Sequence, residues 1–267
     1  MHAGFIGLGR MGRPMSLHTL RAGIGVTVFD LKADAIRALA EHGAQIAESP
    51  RQVAAQSDVM IVMVENDAQV KEVVAGKNGL LEGARAGAVI AVSSSTHPRT
   101  CRALAQIAQA RGVGLVDAPV ALGARAAEAG TLTVFAGGAR ADVDQCRPIM
   151  NAFAKNIFYM GPVGNGQITK TCNNLLLWSG IVACYETLTL GARLGIHANA
   201  LRPALSAGSA DSWVLNQLDR VGLYWPHKDM EIALEMAKEC ELPMPLMRQV
   251  QDDILNLSAE KLQKLFA

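Results

Sequence analysis

The chain has 267 residues, half of them hydrophobic, with 25 basic and 24 acidic side chains. That length suffices for one large domain or two modest ones, and the near balance of charge argues against nucleic acid or an anionic membrane as partner while leaving room for a small anionic metabolite. Five scattered cysteines, an odd number without a CxxC pair, argue against a disulfide scaffold or any zinc or other metal site and fit reduced, mostly buried thiols.

A strand-like run begins almost at Met1, which leaves no room for a targeting leader. No stretch reaches the roughly 20 uncharged residues of a membrane span, so a cytoplasmic location is expected. From residue 3 to about 159, short Val- and Ile-rich runs alternate with longer amphipathic stretches. The runs predict strands over 3–7, 26–30, 59–64, 88–92, 114–117, 131–136 and 156–159. The intervals predict helices, among them 11–22, 32–42 and 98–111. Such alternation implies a mainly parallel sheet, and near-continuous apolar strands fit one covered on both faces. The rhythm stops at Gly161-Pro-Val-Gly-Asn-Gly166, a glycine- and proline-rich joint. A long helix over about 167–194 follows, then helical patterns near Leu201 and Asp211 and over 228–240 and 245–257, with no further strand signal. The expected organisation is an α/β domain over 1–163 and an all-α domain over 164–267.

Gly7-Leu8-Gly9-Arg10-Met11-Gly12 lies between the first strand and the first helix. The first glycine suits a tight turn, the second a close approach of pyrophosphate, and the third the packing of helix on strand. The helix N-terminus adds N–H groups and partial positive charge. The arrangement predicts a Rossmann dinucleotide site, the alternative being a glycine-rich turn without ligand. Asp30 ends the second strand, where an acid accepts from the ribose 2′-OH and repels a 2′-phosphate, which favours NAD over NADP. Lys32 nearby tempers that preference.

Further motifs follow in order: Asp117-Ala-Pro-Val120, Ala129-Gly-Thr-Leu132, Gly166-Gln-Ile-Thr-Lys170-Thr-Cys-Asn-Asn174 and Lys228-Asp229. With the glycine loop, they closely resemble the β-hydroxyacid dehydrogenase family, which includes 3-hydroxyisobutyrate dehydrogenases, tartronate semialdehyde reductases and the related 6-phosphogluconate dehydrogenases. The resemblance covers nearly the whole chain. It implies an NAD(P)-dependent oxidoreductase of small β-hydroxy acids or their semialdehydes, an active site in a cleft between the domains, and a homodimer or homotetramer. By the same resemblance, Lys170 is the general acid/base and Asn174 the substrate-binding asparagine. Ser95 is the second member of a pair near the nicotinamide. Met63, Val64 and Asn66 belong to a loop along the cofactor, and Lys228 borders its nicotinamide side. The i, i+4 spacing of Lys170 and Asn174 places them on one helix face. A lysine closed in beside a cationic nicotinamide would lose solvation and feel a like charge, both of which favour its neutral form.

Two departures stand out. The family's Ser-Gly-Gly after Asp-Ala-Pro-Val, which holds the substrate carboxylate, is here Ala121-Leu122-Gly123, which predicts a different anion or a less polar group. Arg125 nearby supplies a charge or is simply a surface arginine. The interval from Leu215 to Lys228 is also shorter than the family's, so either the chain is trimmed there or residues are missing, with a break expected within 216–226. The rival readings are an imine reductase, whose members usually lack the lysine, and a nucleotide-binding regulator that has lost catalysis.

Overall fold

The computed structural model describes residues 1–267. The elements run β1 (His2–Ile6), α1 (Gly12–Arg21), β2 (Gly25–Phe29), α2 (Ala33–Ala40), β3 (Gln45–Ile46), α3 (Pro50–Gln56), β4 (Val59–Val62), α4 (Asp67–Ala75), α5 (Leu80–Gly83), β5 (Val89–Val92), α6 (Pro98–Gln109) and β6 (Gly114–Asp117). There follow β7 (Val120–Ala121), α7 (Gly123–Ala129), β8 (Leu132–Ala136), α8 (Arg140–Phe153), β9 (Ala154–Tyr159) and the long α9 (Asn165–Arg193). The last five helices are α10 (Ala198–Ser206), α11 (Trp213–Gln217), α12 (Pro226–Glu239), α13 (Pro245–Leu255) and α14 (Ala259–Lys264).

Side chains alternate across each strand, and that alternation builds two cores. Phe5, Val28, Ile61 and Ala91 face one together with Met15, Ile149 and Phe153, whereas Ile6, Met60, Val62 and Ile90 face the other with Val53, Val70 and Leu104. Both faces are therefore covered, as the apolar strands require. The main sheet has the order β3-β2-β1-β4-β5-β6, with every pair parallel. The direction of chain progress reverses between β1 and β4, and ligands of such sheets bind at the carboxyl ends of the strands there. The glycine loop leaves β1 at that point and Met63-Val64 leaves β4.

A second sheet, β7-β8-β9, pairs β7 antiparallel and β9 parallel to β8. Its link to the first is Asp117, whose N–H and C=O exchange bonds with Gly137 at 2.9 and 2.8 Å. Strands β3 and β7 went unanticipated, since two residues carry no readable period. Helix α14 was also missed.

The chain divides into compact units of Met1–Lys170 and Thr171–Ala267. The first turn of α9 bonds back to Asp117 and Ser94, which explains why it counts with the first unit. The second unit is all helix around Trp178, Ile181, Leu188, Leu218, Met230 and Ile254.

Two expectations need correction. Helix α9 is long and apolar enough to cross a membrane by length and composition, although its uncharged run ends at Glu186. Only Cys101 and Cys146 of the five free cysteines are buried, and Cys172 and Cys240 are exposed, because helix faces and not residue type set exposure. Between α11 and α12, Arg220 N bonds Gln217 O at 2.8 Å and Asp229 N bonds Trp225 O at 3.1 Å.

Candidate active site

Each glycine of the first loop has its own physical reason. Gly7 has φ +90°, and a Cβ there would sit 2.1 Å from Met63 O. A Cβ on Gly12 would lie 1.9 Å from Gly7 O, so the start of α1 packs directly on the turn. A Cβ on Gly9 would meet nothing within 4 Å, which leaves an open face where a phosphate can reach the backbone. The residues thus fit a dinucleotide. Leu8 N donates to Asp30 Oδ2 at 2.6 Å and Lys32 N to Oδ1 at 2.8 Å. The acid is thereby tied to the loop, and each oxygen keeps a second lone pair for a ribose hydroxyl. A groove of about 560 Å³ runs past Leu8, Gly9 and the exposed Arg10, with Arg13 and Arg21 of α1 along it and Asp34 and Glu128 opposing their charge. Met11 is half-buried just before α1.

At the ends of β4 and β5, Met63 N bonds Ile6 O at 2.8 Å and Val64 N bonds Ser94 Oγ at 2.8 Å. Ser94 is buried, so its hydroxyl serves the loop, while Ser95 beside it stays half-exposed. Asn66 is exposed and caps α4, its side-chain oxygen accepting from Gln69 N at 2.9 Å. That bond occupies its oxygen and orients its amide.

Lys170 and Asn174 lie four residues apart on the continuous helix α9. Asn174 is buried, and its Nδ2 donates to Asp229 Oδ2 at 2.7 Å; Trp178 Nε1 donates to the same oxygen at 3.2 Å. A carboxylate only accepts, so Asp229 decides which end of the amide is nitrogen. Asp229 sits in the first turn of α12, where the helix N-terminus favours its charge, and half-buried Lys228 immediately precedes it. The sequence paired Lys228 with Asp229 only as a motif, and the bond to Asn174 was not foreseen. Trp178, four residues past Asn174, carried the one local signal, a polar indole nitrogen on the asparagine's face.

The departures fall on β7 and the turn after it. Ala121 is buried and pairs with Thr133 of β8. Leu122 is left-handed at φ 82° and 43% exposed, and Gly123 follows at φ +71°. Arg125 is exposed, as a surface arginine is. Just upstream, Asp117 is fully enclosed and accepts from Gly164 N and Gln167 N, each at 2.7 Å. Burial pushes its carboxyl up to about 6, against the opposing pull of those backbone bonds.

Residues 2–161 match the family model described as the NAD binding domain of 6-phosphogluconate dehydrogenase. Residues 164–265 match the one described as NAD-binding of NADP-dependent 3-hydroxyisobutyrate dehydrogenase. A 2-(hydroxymethyl)glutarate dehydrogenase of Eubacterium barkeri is 35% identical over 254 residues, 91% of this chain and 84% of that protein. An NAD-dependent L-serine dehydrogenase of Pseudomonas aeruginosa is 36% identical over 211 residues, 79% of this chain and 71% of that one. Among solved structures, a 3-hydroxyisobutyrate dehydrogenase of Mycobacterium tuberculosis with L-serine superposes with a TM-score of 0.88, 26% identity and full coverage of both chains. An imine reductase of Streptomyces aurantiacus, at TM-score 0.69 and 22% identity over the full length of both chains, is more distant and shows the fold alone.

Proposed function

Because the chain belongs to the β-hydroxyacid dehydrogenase family, we propose that Lys170, Asn174 and residues 121–123 carry out the reversible oxidation of a small, anionic β-hydroxy acid to its semialdehyde. The protein is an NAD(P)-dependent oxidoreductase of hydroxy acids. Gly7, Leu8, Gly9, Arg10, Met11 and Gly12 would hold the pyrophosphate and Asp30 the adenosine ribose. Met63, Val64, Asn66, Ser95 and Lys228 would border the rest of the cofactor. When bound, the nicotinamide supplies the hydride acceptor or donor. Lys170 takes the hydroxyl proton during oxidation and returns it during reduction. Asn174 orients the hydroxyl, and the backbone of residues 121–123 receives the acid group.

The observation that carries this reading is the bond from Asn174 to buried Asp229 at 2.7 Å, one helical turn past Lys170. It presents an amide of defined orientation next to a lysine, which is what proton transfer to a positioned hydroxyl needs. The test is turnover with NAD and NADP of a panel comprising 3-hydroxyisobutyrate, L-serine, 2-(hydroxymethyl)glutarate, 3-hydroxypropionate and D-glycerate. Lys170→Ala should lower kcat by about 10²–10⁴-fold while NADH binding persists. A variant with the parent's kcat removes Lys170 from the chemistry. Asp30 supports a preference for NAD, and an NADP preference in the parent would contradict that assignment. Lys170 also opposes the imine reductase reading, and turnover of any panel member disposes of the lapsed regulator.

The same reading includes a homodimer or homotetramer. Its support is the stripe of α9 bearing Leu176 (73% exposed), Ala183 and Leu190 (60% exposed), an apolar face suited to a second copy. Five free thiols support a reducing compartment such as the cytoplasm.

A further inference from the structure

Three residues before Lys170, the side chain of Gln167 is almost fully enclosed, at 1% exposure. A buried amide costs stability unless it is hydrogen-bonded, so its partners reveal its use. Oε1 accepts from Thr96 N at 3.1 Å, and Nε2 donates to Ser94 O at 2.8 Å. The amide thus grips the backbone on both sides of Ser95. The backbone N–H of Gln167 points elsewhere, to Asp117 Oδ2 at 2.7 Å, while Gly164 N donates to Asp117 Oδ1 at 2.7 Å. Asp117 therefore accepts two N–H groups at the start of α9 and fixes that turn on the end of β6. Gln167 adds the complementary restraint by tying the loop after β5 to the same turn.

We propose that Gln167 is a positioning residue for hydride transfer, which holds Ser95 and Lys170 in one rigid frame through its paired bonds to Ser94 O and Thr96 N. This rests on the reading that Lys170 is the acid/base and that Ser95 borders the nicotinamide. Only a side chain with one acceptor and one donor can make both bonds. Glutamate keeps the acceptor for Thr96 N but, when ionised, offers Ser94 O no donor; methionine fills a similar volume and offers neither. The frame matters because a misplacement of about 1 Å can cost about 10²-fold in rate.

The experiment measures kcat for the panel's best hydroxy acid, the NADH dissociation constant, and hydrogen exchange of the cofactor-free protein, in Gln167→Met and Gln167→Glu. The expected result is a kcat lower by on the order of 10²-fold with the NADH constant unchanged. Residues 93–97 should exchange faster than in the parent while β1 and α1 keep their protection. Placed on Lys170→Ala, Gln167→Met should cost little more, because the residue acts through the lysine. A parent-like kcat in both variants overturns the proposal, as does a loss that adds in full to that of Lys170→Ala. If Gln167→Met does not fold, the isosteric Gln167→Glu decides on the same readouts. Failure of the underlying reading looks different: Lys170→Ala would itself keep the parent's kcat.

Discussion

At Leu122 the backbone is left-handed, with φ 82° and ψ 0°, and the side chain is 43% exposed. For a residue with a Cβ that conformation costs roughly 1–2 kcal/mol, and the exposed leucine recovers little of it by burial. Strain of this kind collects at functional sites. Leu122→Gly is expected to keep or raise the melting temperature and to raise kcat/KM for 3-hydroxyisobutyrate, which should be a poor substrate of the parent. A lower melting temperature with unchanged substrate preference would mean that Leu122 packs and does not select. Asp117 shows a second residue-level tension. Its carboxyl is raised from 3.8 to about 6 by burial, so the folded state holds the proton more tightly than the unfolded one. Its contribution to stability is present below about pH 4 and lost as pH rises through about 6. Asp117→Asn removes that titration but leaves Gly164 N or Gln167 N without an oxygen, a cost of about 1–3 kcal/mol. Urea unfolding across pH 4–7 should show the parent's advantage over the variant shrinking as pH rises. An advantage that grows would mean that the two backbone bonds outweigh the burial.

The element that concentrates the proposed site is α9. Its first turn is anchored by Asp117 and Gln167, its next two carry Lys170 and Asn174, and its middle turns pack Trp178, Ile181 and Leu188 inward. Along the other side run Leu176, Ala183 and Leu190, which return to nearly the same azimuth at steps of seven residues. That stripe is why the helix is only partly buried within the chain. If a second copy covers it, Leu176→Glu with Leu190→Glu should reduce the assembly to monomers in sedimentation or light scattering, with the far-ultraviolet circular dichroism preserved. A protein already monomeric before substitution would sink the proposal. Strand β7 is the opposite kind of element. It has two residues, pairs with β8 while Val120 packs into the core, and hands the chain straight to Leu122.

For the molecule as a whole, the thiols offer a graded report on folding. Cys172 and Cys240 are exposed and Cys184 is half-buried, whereas Cys101 and Cys146 are enclosed. Burial foremost, with the charge of Asp117 behind it, pushes the Cys101 thiol up to about 12, and only the thiolate reacts. Under native conditions, a thiol reagent followed by peptide mapping should label Cys240 quickly. Cys101 and Cys146 should react only at the rate of global opening. Fast labelling of Cys101 would show that the region around Asp117 and Gln167 opens on its own, which would also weaken the rigid frame proposed for Ser95 and Lys170.

Much of this was legible in the chain itself. Strands such as 59–62 and 89–92 are read from apolar runs because residues buried on both faces leave no polar alternation. The glycine loop is read from its spacing between strand and helix, and Lys170 and Asn174 fall on one face because a helix repeats every 3.6 residues. These are local properties, carried by a few consecutive residues. The clamp of Gln167 on residues 94 and 96 crosses more than 70 positions, and that of Asn174 on Asp229 crosses 55. No period encodes such bonds, since they exist only once packing brings distant backbone and side chains to hydrogen-bonding distance in a dry interior. The same holds for β3 and β7, for the left-handed turn at Leu122, and for the exposure of Cys172. The sequence by itself determined the parallel sheet, the dinucleotide loop and the helix face that Lys170 and Asn174 share. Tertiary structure alone decided what holds those side chains still, because orientation in a protein interior is set by partners that the chain supplies from far away.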